Sequence, residues 1–358
     1  MDIDFSEINY LVDPCSRALH ADYQQFLLSL IGLTVIDITG DNTNEWRVIS
    51  TLLHGDEPSG LIAIHRWLTS GDTLPRPKSN IRVIISSVEA ATYQHLFRHR
   101  YLPNGVDLNR CFNVERLKAS SDANHPQIDG YIERAKLIES AIREVRPTAI
   151  VDLHNTSGGG PAFAVSTLIN PDVLSLASYF CDTLILSDLK IGAMMELDFS
   201  CPVLTIECGS GNDDQAHDIA YKGIKDFTRF DSQNPLPQEK AVQILYKPLR
   251  LTIKAERKLS FSEHDESYSG VTLRKNIEQF NYGGCCDGLL LGWLDDDGLD
   301  NLELLNDQGV NVIDNYFKVV DNKLVCATHL KIFMASTQRD IARSDCLFYV
   351  VNNVNNHL

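Results

Sequence analysis

The chain has 358 residues, of which 44% are hydrophobic and 22% charged, a balance that fits a soluble globular protein and excludes a disordered one. Its 32 lysines and arginines against 48 aspartates and glutamates leave a formal net charge of −16, which argues against nucleic acid and anionic membrane surfaces as partners. The length exceeds one small domain and calls for a large core with an appended module, or two domains.

The N-terminal stretch MDIDFSEINYLVDPCS has no basic segment followed by an apolar one, and no later stretch holds the roughly 18 uninterrupted apolar residues of a membrane span. Nine cysteines, scattered apart from Cys285 and Cys286 and without a CxxC pair, read as reduced thiols. A cytoplasmic location is therefore expected.

From about Leu33 to Phe230, short β-rich runs alternate with helix-length segments, the texture of an α/β sheet covered by helices. Strands are predicted at 33–38, 46–53, 81–88, 149–154, 162–169, 183–186 and 203–207. Helices are predicted at 58–69, which starts with a proline, at 127–145, which stops before Pro147, and at 213–230. The polar, proline-bearing stretch DSQNPLPQE marks a boundary, giving domains 1–235 and 236–358. Beyond it, LRLTIKAER, DGLLLGWLDDDG and KVVDNKLVCATHL alternate between Gly, Asn and Asp breaks, as in a β-rich module. Asp295 to Gly298 reads as a turn, because the spacing of a calcium loop is missing.

Three strand ends carry the chemistry. HGDEPSG places His54 at the end of one predicted strand and Glu57 three residues on, two donor types that suit zinc. Taken alone, His54 could equally be a structural histidine and Glu57 a carboxylate at a helix N-terminus. TAIVDLHNTSGGGP brings His154 to a second strand end, with Asp152 on the same face. Two histidines and one carboxylate fit a catalytic zinc set that leaves a position for water. PVLTIECGSG places Glu207 at a third end, where a glutamate can take a proton from water and pass it to a leaving amine; a sheet-edge salt bridge is the plainer role. Between the first two lies RHRYLPNGVDLNRCF, the densest basic patch, with Arg98, His99, Arg100 and Arg110. Arg98 and His99 read as solvated loop residues.

HGDEPSG, RYLPNGVDLNR, VDLHNTSG and PVLTIECG, in this order and spacing, resemble the succinylglutamate desuccinylase/aspartoacylase family, a branch of the zinc carboxypeptidase-like hydrolases. The likeness covers roughly Leu33 to Phe230, and the β-rich tail resembles the family's extra C-terminal domain. It implies an α/β fold with a mixed sheet flanked by helices, and one zinc ion held by His54, Glu57 and His154. It implies Glu207 as general base and acid, Arg100 polarising the scissile carbonyl, and Asn109 and Arg110 holding the substrate carboxylate. Aspartoacylases proper carry a further arginine and tyrosine shortly before the catalytic glutamate, whereas IGAMMELDFSCPVLTI here has neither and contains Glu196 and Asp198. The expected activity is hydrolysis of the amide of a small N-acylated amino acid, with N-acyl derivatives of neutral or basic amino acids favoured over dicarboxylates. A zinc carboxypeptidase or peptide amidase is the alternative. A homo-oligomer is compatible with this reading.

Overall fold

Apolar runs between residues 33 and 210 become the strands of one mixed sheet. The computed structural model describes residues 5–70, 75–118, 125–156, 158–229, 241–264, 269–344 and 346–352. The strands are β1 (Asn9–Val12), β2 (Thr34–Ile38), β3 (Asn42–Thr51), β4 (Ser79–Ile85), β5 (Ile150–Thr156), β6 (Phe163–Ser166), β7 (Thr183–Leu186), β8 (Val203–Ser210) and β9 (Gln243–Tyr246), in the order β1-β2-β4-β3-β5-β8-β6-β7-β9. β3 runs parallel to β4 and β5, while β2 is antiparallel to β4 and β6 to β8. β3, β5 and β8 are neighbours, so His54, His154 and Glu207 come from adjacent strands or their ends.

Helices α1 (Ser16–Leu19), α2 (Tyr23–Ser29), α3 (Ser59–Thr69), α4 (Val88–Thr92), α5 (Val114–Lys118), α6 (Ile128–Val145), α7 (Pro171–Ser178) and α8 (Asp214–Arg229) accompany the sheet. Successive strand residues point to opposite faces, and β3 shows the result. Ile49 joins Leu61 and Ile64 of α3 and Ile224 and Phe227 of α8 in one core. Val48 joins Ile138 and Ile142 of α6 in another. β4 and β5 are buried along their whole lengths, as expected of strands covered on both faces. Each fully buried aliphatic side chain contributes about 1.5–3 kcal/mol, so this double layer fixes the strand ends firmly.

The chain divides into two compact units, the first Met1–Asn155 with Ala162–Gln243, the second Thr156–Pro161 with Ile244–Leu358. The second contains β10 (Leu249–Ile253), β11 (Leu259–Ser262), β12 (Val271–Arg274), β13 (Gly284–Cys285), β14 (Leu290–Leu294), β15 (Leu302–Leu304), β16 (Phe317–Val320), β17 (Lys323–Cys326), β18 (Leu330–Phe333), α9 (Arg339–Ser344) and β19 (Phe348–Asn352). Two five-stranded sheets, β13-β18-β19-β10-β15 and β11-β12-β14-β17-β16, enclose a core with Leu251, Leu273, Leu291, Phe317 and Phe348. In the Asp295 turn, the Asp295 carboxylate accepts from Gly270 N at 2.5 Å and Asn301 Nδ2 at 2.7 Å. The boundary expected at residue 235 lies outside the described residues, as does Phe230.

Several elements differ from the sequence reading. The run 81–88 is strand only to Ile85; Ser86 N and Ser87 N still donate to Thr51 O and Leu52 O beyond the end of β3, and Val88 opens α4. The run 162–169 shortens to β6, and Asn170 caps α7 through Val173 N at 2.9 Å. No disulfide joins the nine cysteines. No helix among the described residues is long and apolar enough to cross a membrane.

Candidate metal centre

The turn after β3 brings the first two donors together. Gly55 N donates to Arg100 O at 2.8 Å, and a Cβ at Gly55 would lie 2.6 Å from both Ala91 N and His99 O. Only glycine admits this approach, which carries the Arg100 loop to the metal-type donors. Pro58 then caps α3, whose first turn leaves Glu57 beside the sheet. His154, inside β5, faces it.

The geometry is convergent. Glu57 Oε1 contacts His54 Nδ1 at 2.8 Å, and Glu57 Oε2 contacts His154 Nδ1 at 2.7 Å. The three groups are buried, and their ligand atoms all lie within 4.8 Å of one another. The opposite ring nitrogens are also engaged: His54 Nε2 meets Asp107 Oδ1 at 2.8 Å, and His154 Nε2 meets Asp152 Oδ2 at 2.8 Å. Each imidazole therefore has a carboxylate at both ring nitrogens, a setting that favours its protonated form when no metal is bound.

Electrostatics agree with this. Burial pulls His54 down, assisted by Arg100, but the Asp107 and Glu57 carboxylates outweigh them and hold it above its ordinary 6.5. Burial likewise disfavours charge on His154, and Asp152 and Glu57 overcome it, holding it well above that value. Burial would raise Glu57; His54 and His154 instead hold it well below the usual carboxylate range. Asp107 is held low as well, with His54, Arg100 and Arg110 prevailing over its burial.

These donors fit a zinc ion. Two imidazole Nδ1 atoms and one carboxylate match the element's preferences, and a carboxylate on each Nε2 is the outer partner that orients metal-binding histidines.

The remaining expected residues surround this cluster. Arg100, about one-third exposed, donates from Nη1 to Glu57 Oε1 at 3.2 Å and from Nη2 to Asp107 Oδ2 at 3.1 Å. Asn109 lies in the short helical turn Leu108–Arg110, its backbone N donating to Asp107 Oδ1 at 2.8 Å. Asn109 Oδ1 accepts from Met194 N at 3.0 Å, which fixes the amide so that Nδ2 is the donor available to a carboxylate. Arg110 Nη1 donates to Asn109 O at 3.0 Å. Glu207 is half-buried on β8, but its Oε2 is enclosed and has no hydrogen-bond partner among the described residues. Burial raises its carboxyl to about 7, with His154 opposing and Glu57 reinforcing the shift.

Arg98 is exposed, and the His99 ring stands edge-on to Tyr93 at 5.2 Å. Glu196 does not face solvent as an open loop acid: its Oε1 accepts from Ile191 N at 2.7 Å and Ala193 N at 3.1 Å, closing the loop on itself. Asp198 is exposed and accepts from Ser200 N at 2.7 Å. Asp107 was not singled out by sequence reasoning; its only local sign is its place ahead of a helical turn, while its partner lies 53 residues away. Ser59 and Asn155, which lie between the strand ends, were also missed.

Residues 47–190 match the model of the succinylglutamate desuccinylase/aspartoacylase catalytic domain. An aspartoacylase of Xenopus tropicalis is 32% identical over 108 residues, which make up 29% of this chain and 32% of that protein's length. Among solved structures, a succinylglutamate desuccinylase of Vibrio parahaemolyticus superposes with a TM-score of 0.58 at 14% identity, covering 93% of this chain and 95% of its own. Murine aminoacylase 3 superposes with a TM-score of 0.53 at 15% identity, covering 87% and 96%. The mixed α/β architecture with its β-rich C-terminal portion is shared with these folds, and the likeness to the family's catalytic domain holds over residues 47–190.

Proposed function

We propose that this chain, which shares the catalytic region of the succinylglutamate desuccinylase/aspartoacylase family, is a zinc-dependent deacylase that hydrolyses the amide bond of a small N-acylated amino acid. The observation that carries the proposal is the convergence of His54 Nδ1, His154 Nδ1 and the Glu57 carboxylate in one buried cluster. Aspartoacylase and aminoacylase 3 are the names borne by two of the similar proteins, and both denote removal of an acyl group from an amino acid.

His54, Glu57 and His154 would hold the ion. Zinc, when bound, polarises a carbonyl oxygen and lowers the pKa of water to near 7. Glu207 then serves as the proton carrier: its enclosed Oε2 accepts the proton from the attacking water and delivers it to the departing amine nitrogen. A carboxyl raised to about 7 can do both near neutrality. Arg100 offers its partly exposed guanidinium to the oxygen that gains negative charge, while Glu57 and Asp107 hold it in place. Asn109 Nδ2 and the Arg110 guanidinium bind the carboxylate of the amino-acid half and orient the amide. The segment 191–206 contributes no cationic side chain or tyrosine to a second carboxylate, which favours neutral or basic amino acids.

The test is a turnover assay of the zinc-loaded protein on N-acyl amino acids and on short peptides. Release of free amino acid from the acyl compounds, abolished by chelation and restored by zinc, is the expected result. Turnover of peptides alone would replace this reading with a carboxypeptidase.

A further inference from the structure

Behind the metal-type donors, one amide side chain joins three elements that carry the site. Asn155 N donates to Glu57 Oε2 at 3.2 Å, beside the contact from His154 Nδ1. Asn155 Oδ1 accepts from Ser59 N at 3.0 Å, and Nδ2 donates both to Ser59 Oγ at 2.7 Å and to Gly209 O at 2.8 Å. Asn155 is 5% exposed and Ser59 fully buried, so these bonds form away from solvent. Ser59 Oγ, accepting from Asn155, is also hydrogen-bonded to His217 Nδ1 of α8 at 2.8 Å.

We propose that Asn155 is a positioning residue that holds the Glu57 carboxylate and the Glu207 strand end in one frame; the catalytic part of this assignment rests on the deacylase reading. Glu207 Oε2 has no hydrogen-bond partner among the described residues, so the placement of the carboxyl depends on the backbone that carries it. That backbone is anchored two residues on, where Gly209 O meets Asn155 Nδ2. Gly209 has φ +107°, in the region that favours glycine, and this conformation accompanies the turn of its carbonyl toward the amide. On the other side, the bonds to Ser59 fix the first turn of α3 and thereby the residue two places earlier, Glu57. An alanine at 155 keeps the backbone donor to Glu57 but releases both Ser59 and Gly209. The buried amide is fully satisfied, and no shorter side chain spans both partners.

The experiment compares Asn155→Ala and Asn155→Ser with the unmodified protein by zinc affinity, kcat, KM and melting temperature. Zinc affinity is read by chelator competition and does not depend on turnover. Both variants should bind zinc about 10- to 100-fold more weakly, as when outer partners of metal ligands are removed. Their kcat should fall at least about tenfold while KM stays within about twofold, since neither change touches the residues assigned to the substrate carboxylate. Serine keeps a hydroxyl and a small polar volume, so it provides a folded variant if alanine does not fold. A lower melting temperature with unchanged zinc affinity and unchanged kcat in a folded variant would overturn the proposal. If the unmodified protein turned over no acyl amino acid, the deacylase reading would fail, while the zinc arm would still decide the positioning of Glu57.

Discussion

Zinc uptake should be strongly coupled to proton release. Both ring nitrogens of His54 and of His154 lie 2.7–2.8 Å from carboxylate oxygens, which favours protonated imidazoles, and an Nδ1 proton must leave before that atom can bind a metal. Both are held above the ordinary 6.5, whereas Glu57 is already ionised and adds no proton. Below the shifted histidine values, about two protons should leave per ion, and apparent affinity should rise about a hundredfold per pH unit, or ~2.7 kcal/mol. Above them, the dependence should flatten. The same shifts stabilise the metal-free fold: with histidine values raised on folding, the contribution is complete below about 6.5 and is lost as pH rises through the folded values. Calorimetry in two buffers of different ionisation enthalpy gives the proton count, and chelator competition across pH gives the slope. Asp152→Asn removes the carboxylate that most raises His154, so its proton release should fall and its pH dependence should move to lower pH. A release near zero below about pH 6.5 would refute this proton coupling.

Glu207→Gln keeps the side-chain shape and should leave zinc content near that of the unmodified protein, while kcat falls by at least ~10²–10⁴-fold; loss of zinc in that variant would instead identify Glu207 as a ligand. Arg110→Ala should chiefly raise KM, and steady-state kinetics showing a fall in kcat alone would remove it from carboxylate binding. In a substrate panel, N-acyl derivatives of neutral or basic amino acids should show higher kcat/KM than N-acetylaspartate or N-succinylglutamate; a preference for either dicarboxylate contradicts the reading of residues 191–206. Gly55→Ala places a methyl 2.6 Å from two backbone atoms, so it should cost about 1–3 kcal/mol by thermal unfolding and lower kcat/KM by displacing the Arg100 loop. Unchanged stability would mean that this turn has room to relax.

The central sheet was legible because its strands are buried on both faces and therefore read as apolar runs. β5 is the clearest case, with every residue from Ile150 to Thr156 buried. β1 was missed because Tyr10 and Val12 remain exposed and its pairing with β2 is a matter of backbone register, which leaves little pattern in four residues. α7 was also missed, although Asn170 followed by Pro171 is a helix-start signal. Its eight residues, Pro171–Ser178, are too short for the periodicity to stand out.

For the site, the legible part consisted of residues whose chemistry is rare at strand ends. A histidine closing a buried run, followed by glycine and an acid, asks for an explanation that packing alone does not supply. The illegible part is the set of common polar residues that hold those groups. Asp107, Ser59 and Asn155 have nothing unusual in their neighbourhood of sequence, and each has a partner in the site that lies 53 to 158 residues away in the chain. Each becomes meaningful only when parallel pairing sets β3 beside β5 and α3 beside α8. Burial then makes the difference between a solvated polar residue and a fixed one, because an amide or carboxylate inside the fold must find its partner there. The donors name the chemistry, but the orientation of the donors is written in the topology.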